Sequence, residues 1–232
     1  MKLKILLILI FISIVVNAQY NGKNFALSVN YTYTATSKLY LQPNSSDAVL
    51  RGTHEYLDNI YNFSTEFGYR VYRDIVVGIS LAYIQKTFTN TNIALGDNRA
   101  SMKDGYNVIP VELTIYYTMP FSTDYFKFFM GGGGGLYFGN HIRTLGDVTA
   151  STISRKIGYG IQIAVGMDYL LNDQFAVRGQ IRFSDPEFEM KNKYSNRYVT
   201  YEGKTYYLSA DTFDSKVNID GISFAIGLVF QF

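Results

Sequence analysis

Alternation with period two runs through most of the chain, and no other feature limits its fold as strongly. From Phe25, the residues Phe25, Leu27, Val29, Tyr31 and Tyr33 are apolar or aromatic, while Ala26, Ser28, Asn30, Thr32 and Thr34 between them are small or polar. Successive side chains of an extended strand point to opposite faces, so this spacing predicts a strand with two chemically different faces. The pattern returns over 61–70, 75–83, 109–118, 157–169, 175–183 and 222–232, and a glycine-rich segment over about 125–139 belongs to the series with its facing undecided. Eight strands are expected.

Which face is buried separates a soluble sandwich from a membrane barrel. The second face is rich in Gly, Ala, Ser and Thr and poor in Lys, unlike a wetted surface. Small residues suit the cramped lumen of an eight-stranded barrel, and the bulky apolar face then meets lipid. The same inner face carries Glu66, Glu112 and Asp168 with Arg70, Arg178 and Arg182. An unpaired buried charge costs several kcal/mol or more, so these six are expected to form a lumen ion network.

The connections alternate in length. They are long over about 35–58, 90–104, 140–154 and 189–215, and short over about 71–74, 120–124 and 171–173. Transmembrane barrels have short turns at the periplasmic end and long loops outside, and aromatic residues cluster at both interfaces. Here Tyr69, Tyr72, Phe121, Tyr125, Tyr169, Phe175, Phe230 and Phe232 fall near the short turns, while Tyr31, Tyr33, Tyr61, Tyr83, Phe88, Tyr106 and Phe183 lie toward the long ones. Ahead of the first strand, Lys2 and Lys4 precede an apolar run from Ile5 to Val16, followed by Val16-Asn17-Ala18. That run is too short to span a bilayer and reads as a cleaved signal peptide over 1–18, leaving the barrel to occupy 19–232. Loss of Lys2 and Lys4 takes the formal charge from +2 to zero.

The chain resembles the small outer-membrane β-barrel family of the OmpA/OmpX type, including the PorT-like members of the Bacteroidota. The likeness rests on the final strand Ile222–Phe232 with its terminal Phe, on Ile109-Pro110-Val111-Glu112-Leu113-Thr114-Ile115-Tyr116-Tyr117, on the Gly131–Gly135 strand, and on Gly166-Met167-Asp168-Tyr169 before a short turn. It implies an all-β, eight-stranded antiparallel up-and-down transmembrane barrel in the outer membrane of a Gram-negative bacterium. It implies contact with outer-membrane lipid and lipopolysaccharide. It also implies that Phe224, Leu228, Phe230 and Phe232 serve as the insertion signal read by the barrel-assembly machinery.

The available chemistry is narrow. Cysteine is absent, which excludes disulfides and thiol chemistry, and the near-neutral charge makes no case for nucleic acid. Gly131–Gly135 lacks the Lys-Ser/Thr of a phosphate loop and reads as room for bulky lumen residues. His54 and His141 read as solvated loop histidines rather than catalysts, and neither a metal site nor a cofactor is expected. In the fourth outer connection, Tyr198, Tyr201, Tyr206 and Tyr207 flank the turn signal Glu202-Gly203, giving a tyrosine-rich ribbon suited to a protein partner. The expected function is that of a non-catalytic structural or interaction protein, including an accessory subunit of an outer-membrane secretion or assembly complex. A narrow pore comes second and a lipid-modifying enzyme third.

Overall fold

A computed structural model describes residues 23–96 and 98–232; the signal peptide read over 1–18 lies outside these residues. The strands are β1 (Phe25–Tyr40), β2 (His54–Tyr72), β3 (Ile75–Leu95), β4 (Asn98–Thr118), β5 (Phe126–Leu145), β6 (Val148–Arg155), β7 (Gly158–Leu170), β8 (Phe175–Ser184), β9 (Glu187–Tyr194), β10 (Tyr198–Tyr201), β11 (Lys204–Tyr207), β12 (Thr212–Asn218) and β13 (Gly221–Gln231). One helical turn, α1 (Ala48–Gly52), joins β1 to β2. The described residues therefore form thirteen strands, which corrects the expected eight. The extra strands come from connections read as loops. In β9, for example, buried Phe188, Met190 and Asn192 alternate with outward charges that mask the apolar period.

All pairings are antiparallel. Around the lower part, the order β1-β2-β3-β4-β5-β7-β8-β13 closes on itself, with Ala26↔Gln231 through Thr34↔Ser223 sealing β1 to β13. Higher up, β6, β9 and β12 take over the wall between β5 and β1. The β2–β3 ladder ends at Phe63↔Tyr83, while β1–β2 continues to Tyr40↔His54 and β3–β4 to Leu95↔Asn98. The resulting seam is bridged by Lys86 Nζ, which donates to the Asn59 carbonyl at 3.1 Å.

The large apolar face points outward. Along β7, Tyr159 is 79%, Ile161 75% and Ile163 62% exposed, whereas the alternate positions Gln162 and Ala164 are 3% and 2% exposed. Aromatic contacts ring the lower edge, where Phe25 meets Phe67, Tyr69 and Phe232, and Phe175 meets Phe230. A second group joins Tyr31, Tyr33, Tyr61, Phe63 and Phe224 higher up. Two of the expected upper-belt residues are not in a belt. Tyr106 is buried inside with its hydroxyl on Ser37 Oγ at 2.8 Å, and Phe88 packs against the inner cluster.

The glycine strand is now oriented. Gly131, Gly133 and Gly135 share the lumen parity of Phe129 and Tyr137, both buried. A Cβ on Gly131 would stand 2.5 Å from the Tyr116 ring, one on Gly135 2.8 Å from Glu112 Cγ, and one on Gly133 would overlap the Leu113 carbonyl. Room for bulky inner residues is what these glycines supply.

Candidate functional site

One strand reads out the interior. Inward residues of β4 run from Ala100 and Met102 at the top, through Asp104, then Tyr106 and Val108, to Glu112, Thr114 and Tyr116 below. Each corresponds to a layer of the lumen.

The lowest layer is ionic. The Arg178 guanidinium is bidentate on Asp168, from Nε to Oδ1 at 2.8 Å and Nη2 to Oδ2 at 2.9 Å, and its Nη1 donates to Glu66 Oε1 at 2.9 Å. The Tyr116 hydroxyl donates to Glu66 Oε2 at 2.7 Å. Higher up, Arg182 Nη1 donates to Glu112 Oε2 at 2.5 Å, and the same carboxylate accepts from the Tyr137 hydroxyl at 2.5 Å and Ser80 Oγ at 3.2 Å. Five of the six expected network residues are thus brought together. Arg70 is not: its Nη1 donates to the Arg73 carbonyl at 2.7 Å, because it lies nearer the lower mouth. Sequence reasoning missed Tyr137 as a donor, because the sequence leaves undecided the facing of the glycine-rich segment that contains it.

Above the ions the lumen is filled by Leu39, Leu57, Tyr106, Val108, Tyr137, Phe188, Met190, Val217 and Ile219. This cluster fills the upper lumen with mostly apolar side chains.

A second buried polar group sits higher, above the outward apolar belt. Arg143 donates to Asp104 Oδ2 from Nη2 at 2.5 Å and from Nε at 3.1 Å, and stacks over Phe213 at 4.2 Å. His141 Nε2 lies 2.7 Å from Asp104 Oδ1, Phe213 packs edge-on against its ring, and its Nδ1 has no partner among the described residues. His141 is therefore buried, not solvated as expected. Burial pushes the His141 pKa below its ordinary 6.5, although Asp104 pulls the other way. Burial would raise the Asp104 carboxyl, but the contact with His141 and the positive charge of Arg143 outweigh it and hold it below the ordinary 3.8.

The pH consequence has a definite sign. An unfolded His141 takes up a proton near 6.5 and the folded one resists, so folded stability falls as pH drops below that value. Asp104 adds to the loss only below 3.8. Hydrogen exchange over 100–108 and 138–145, corrected for intrinsic rates, is expected to show more opening at about pH 5 than at about pH 7.5. In His141→Phe that difference is expected to shrink; an unchanged difference would remove His141 as its source.

At the top, β10 and β11 form the hairpin expected around Glu202-Gly203, whose φ values of 50° and 77° suit a two-residue turn. It acts as a lid. Val199 is buried with Leu95, Ala100, Met102, Leu145 and Val148, and Tyr201 and Tyr206 pack onto that cluster. The Tyr201 hydroxyl accepts from the Ser101 amide at 3.2 Å and the Tyr206 hydroxyl from Asn98 Nδ2 at 2.5 Å. Only Tyr198 and Tyr207 of the four face outward, with rings 5.6 Å apart.

A closed antiparallel ring with an apolar exterior, an ionic interior and a folded cap defines the class of small β-barrel proteins with filled lumens. No protein-family model matches the chain, and no curated protein does. Among solved structures, the outer membrane protein OprG of Pseudomonas aeruginosa is similar with a TM-score of 0.56 at 14% identity, over 90% of this chain and 96% of that one. Ail, the attachment invasion locus protein of Yersinia pestis, aligns with a TM-score of 0.48 at 12% identity over 90% and 99%. The likeness to OprG is one of fold: the chain has the architecture of a small outer-membrane β-barrel.

Proposed function

We propose that this chain is a non-conducting, non-catalytic β-barrel of a Gram-negative outer membrane that works as a structural or interaction protein through its folded upper cap. The observation that carries this reading is the filled lumen, ionic below and mostly apolar above, inside a wall whose outward face is apolar. An outward apolar belt is stable only against lipid or another apolar surface. A filled interior leaves the cap as the surface for partners, and Tyr198 and Tyr207 present an aromatic pair there. A role as an accessory subunit of a secretion or assembly complex belongs to this proposal, as does contact with lipopolysaccharide around the upper belt. Planar-bilayer recording is expected to show no stable single-channel steps; large regular steps would favour the pore instead.

The outward row Phe224, Leu228 and Phe230 of β13, continued by Phe232, is proposed as the segment read by the assembly machinery. All four side chains are exposed on the outer wall. Leu228→Asp is expected to reduce outer-membrane yield on density fractionation while leaving expression of the chain intact. Undiminished yield would count against that role.

A further inference from the structure

We propose that the lower mouth of the barrel is a binding site for a phosphate-class oxyanion. Below the Glu66–Arg178–Asp168 layer the lumen widens into a cavity of about 290 Å³. Its ceiling is the ionic layer itself, so it is a blind vestibule open only at the end of the short turns.

The charges inside it do not balance. Both ceiling carboxylates are committed: Asp168 accepts Arg178 through both oxygens, and Glu66 accepts Arg178 and the Tyr116 hydroxyl. Three more cations, Lys23, Arg70 and Lys127, line the wall and are only partly exposed. Among the described residues none of them has a carboxylate partner; Lys23 and Arg70 donate only to main-chain carbonyls, of Asp173 and Arg73. Lys127 stands directly across the β5–β7 register from Asp168, whose oxygens Arg178 has taken. Over the whole lining, five cations face four acids. Asp74 and Asp173 are at the exposed rim with Arg73, where the Lys23 and Arg70 head groups also reach, and Lys127 stands deeper without a carboxylate partner among the described residues, so the lining as a whole carries one net positive charge.

Partly desolvated like charges around a blind cavity repel one another, and an anion with several acceptor oxygens relieves that repulsion. A phosphate group offers acceptors to a planar guanidinium and to two ammonium groups at once, which a single carboxylate does less completely. The cavity is larger than one phosphate and leaves space for what carries it. That carrier is either water alone, for free phosphate, or the rest of a phospholipid headgroup from the adjoining leaflet. The site belongs to the lumen and goes beyond the cap-centred function proposed above.

The test uses the full chain folded in sugar-headgroup micelles, which contain no phosphate, titrated calorimetrically with inorganic phosphate at low salt. Saturable binding is expected, with Arg70→Gln and Lys127→Gln each weakening it about tenfold. Lys204→Gln in the exposed hairpin is expected to change nothing. Circular dichroism in urea checks that each variant is folded, and Lys127→Gln keeps the test decisive should Arg70→Gln fail to fold. In a second arm, short-chain phosphatidylglycerol is added to the same micelles. Tighter binding there, with the same sensitivity to Arg70→Gln and Lys127→Gln, supports the site and assigns it to a headgroup; binding of inorganic phosphate at least as tight assigns it to the free ion. Absence of saturation with both probes, or equal weakening by Lys204→Gln, overturns the proposal.

Discussion

Arg178→Leu is expected to destabilise the folded barrel by about 3–5 kcal/mol, the cost typical of stranding a buried charge by removing its partner. Among the described residues Arg178 is the only cation bonded to both Asp168 and Glu66, through three hydrogen bonds of 2.8–2.9 Å. Leucine at this position keeps much of the volume beside Phe129, over which the guanidinium now lies at 4.9 Å, but leaves two carboxylates in a lumen of low polarity. They can escape by taking up protons, by drawing in water or, for Asp168, by capturing Lys127 from across the β5–β7 register, and Lys127→Gln in the same background closes that last route. Arg182→Leu is the internal comparison. It strands only Glu112, which retains donors from Tyr137 and Ser80, so its cost is expected to be smaller, on the order of 1.5–3 kcal/mol. Adding Asp168→Asn and Glu66→Gln to Arg178→Leu removes the stranded charges and is expected to recover part of the loss. Urea unfolding in micelles, followed by circular dichroism, reads all of these forms. A loss under about 1 kcal/mol for Arg178→Leu would mean that the network is wetter and weaker than its geometry indicates.

The same residues show how far sequence reasoning reaches. Parity along a strand places Glu66, Glu112, Asp168, Arg178 and Arg182 on one inner wall, and the structure joins them in two clusters. Parity also placed Arg70 inside, and it is inside; what parity does not carry is height. Arg70 lies two inward positions beyond Glu66 on β2, where the lumen opens, and its partner is a turn carbonyl. Height likewise hid His141, which sits above the outward belt yet is sealed by Phe213, Asp104 and the strands β6, β9 and β12. Those strands were unreadable for a physical reason. The upper wall has water outside, so its outward positions are Glu187, Glu189, Lys191 and Lys193, and only a few inward residues per strand carry the period. The tyrosine ribbon was legible as a hairpin from Glu202-Gly203, but which of its faces packs depends on neighbours such as Leu95 and Leu145, distant in sequence.

Ile163→Arg separates a membrane barrel from a soluble one more sharply than any change inside the lumen. Ile163 is 62% exposed in mid-strand on β7, paired with Gly132 on one side and Phe183 on the other, and its outward neighbours along the strand are Ile161 and Val165. If that wall faced water, an arginine there would replace an exposed apolar side chain by a solvated one and cost within about 0.5 kcal/mol. Against a hydrocarbon core the same arginine must be dehydrated or drag water and headgroups inward, at about 2–4 kcal/mol near the midplane and about 0–1 kcal/mol near the interfaces. Depth therefore supplies a built-in control. Tyr169→Arg, at the lower aromatic edge where Phe126 packs on Tyr169 at 5.0 Å, is expected to cost much less than Ile163→Arg in vesicles. In sugar-headgroup micelles, whose apolar layer is thinner and more deformable, the gap between the two variants is expected to narrow. Equal, small costs at both depths in vesicles would remove lipid from the outer wall, and an apolar protein surface would then have to cover it.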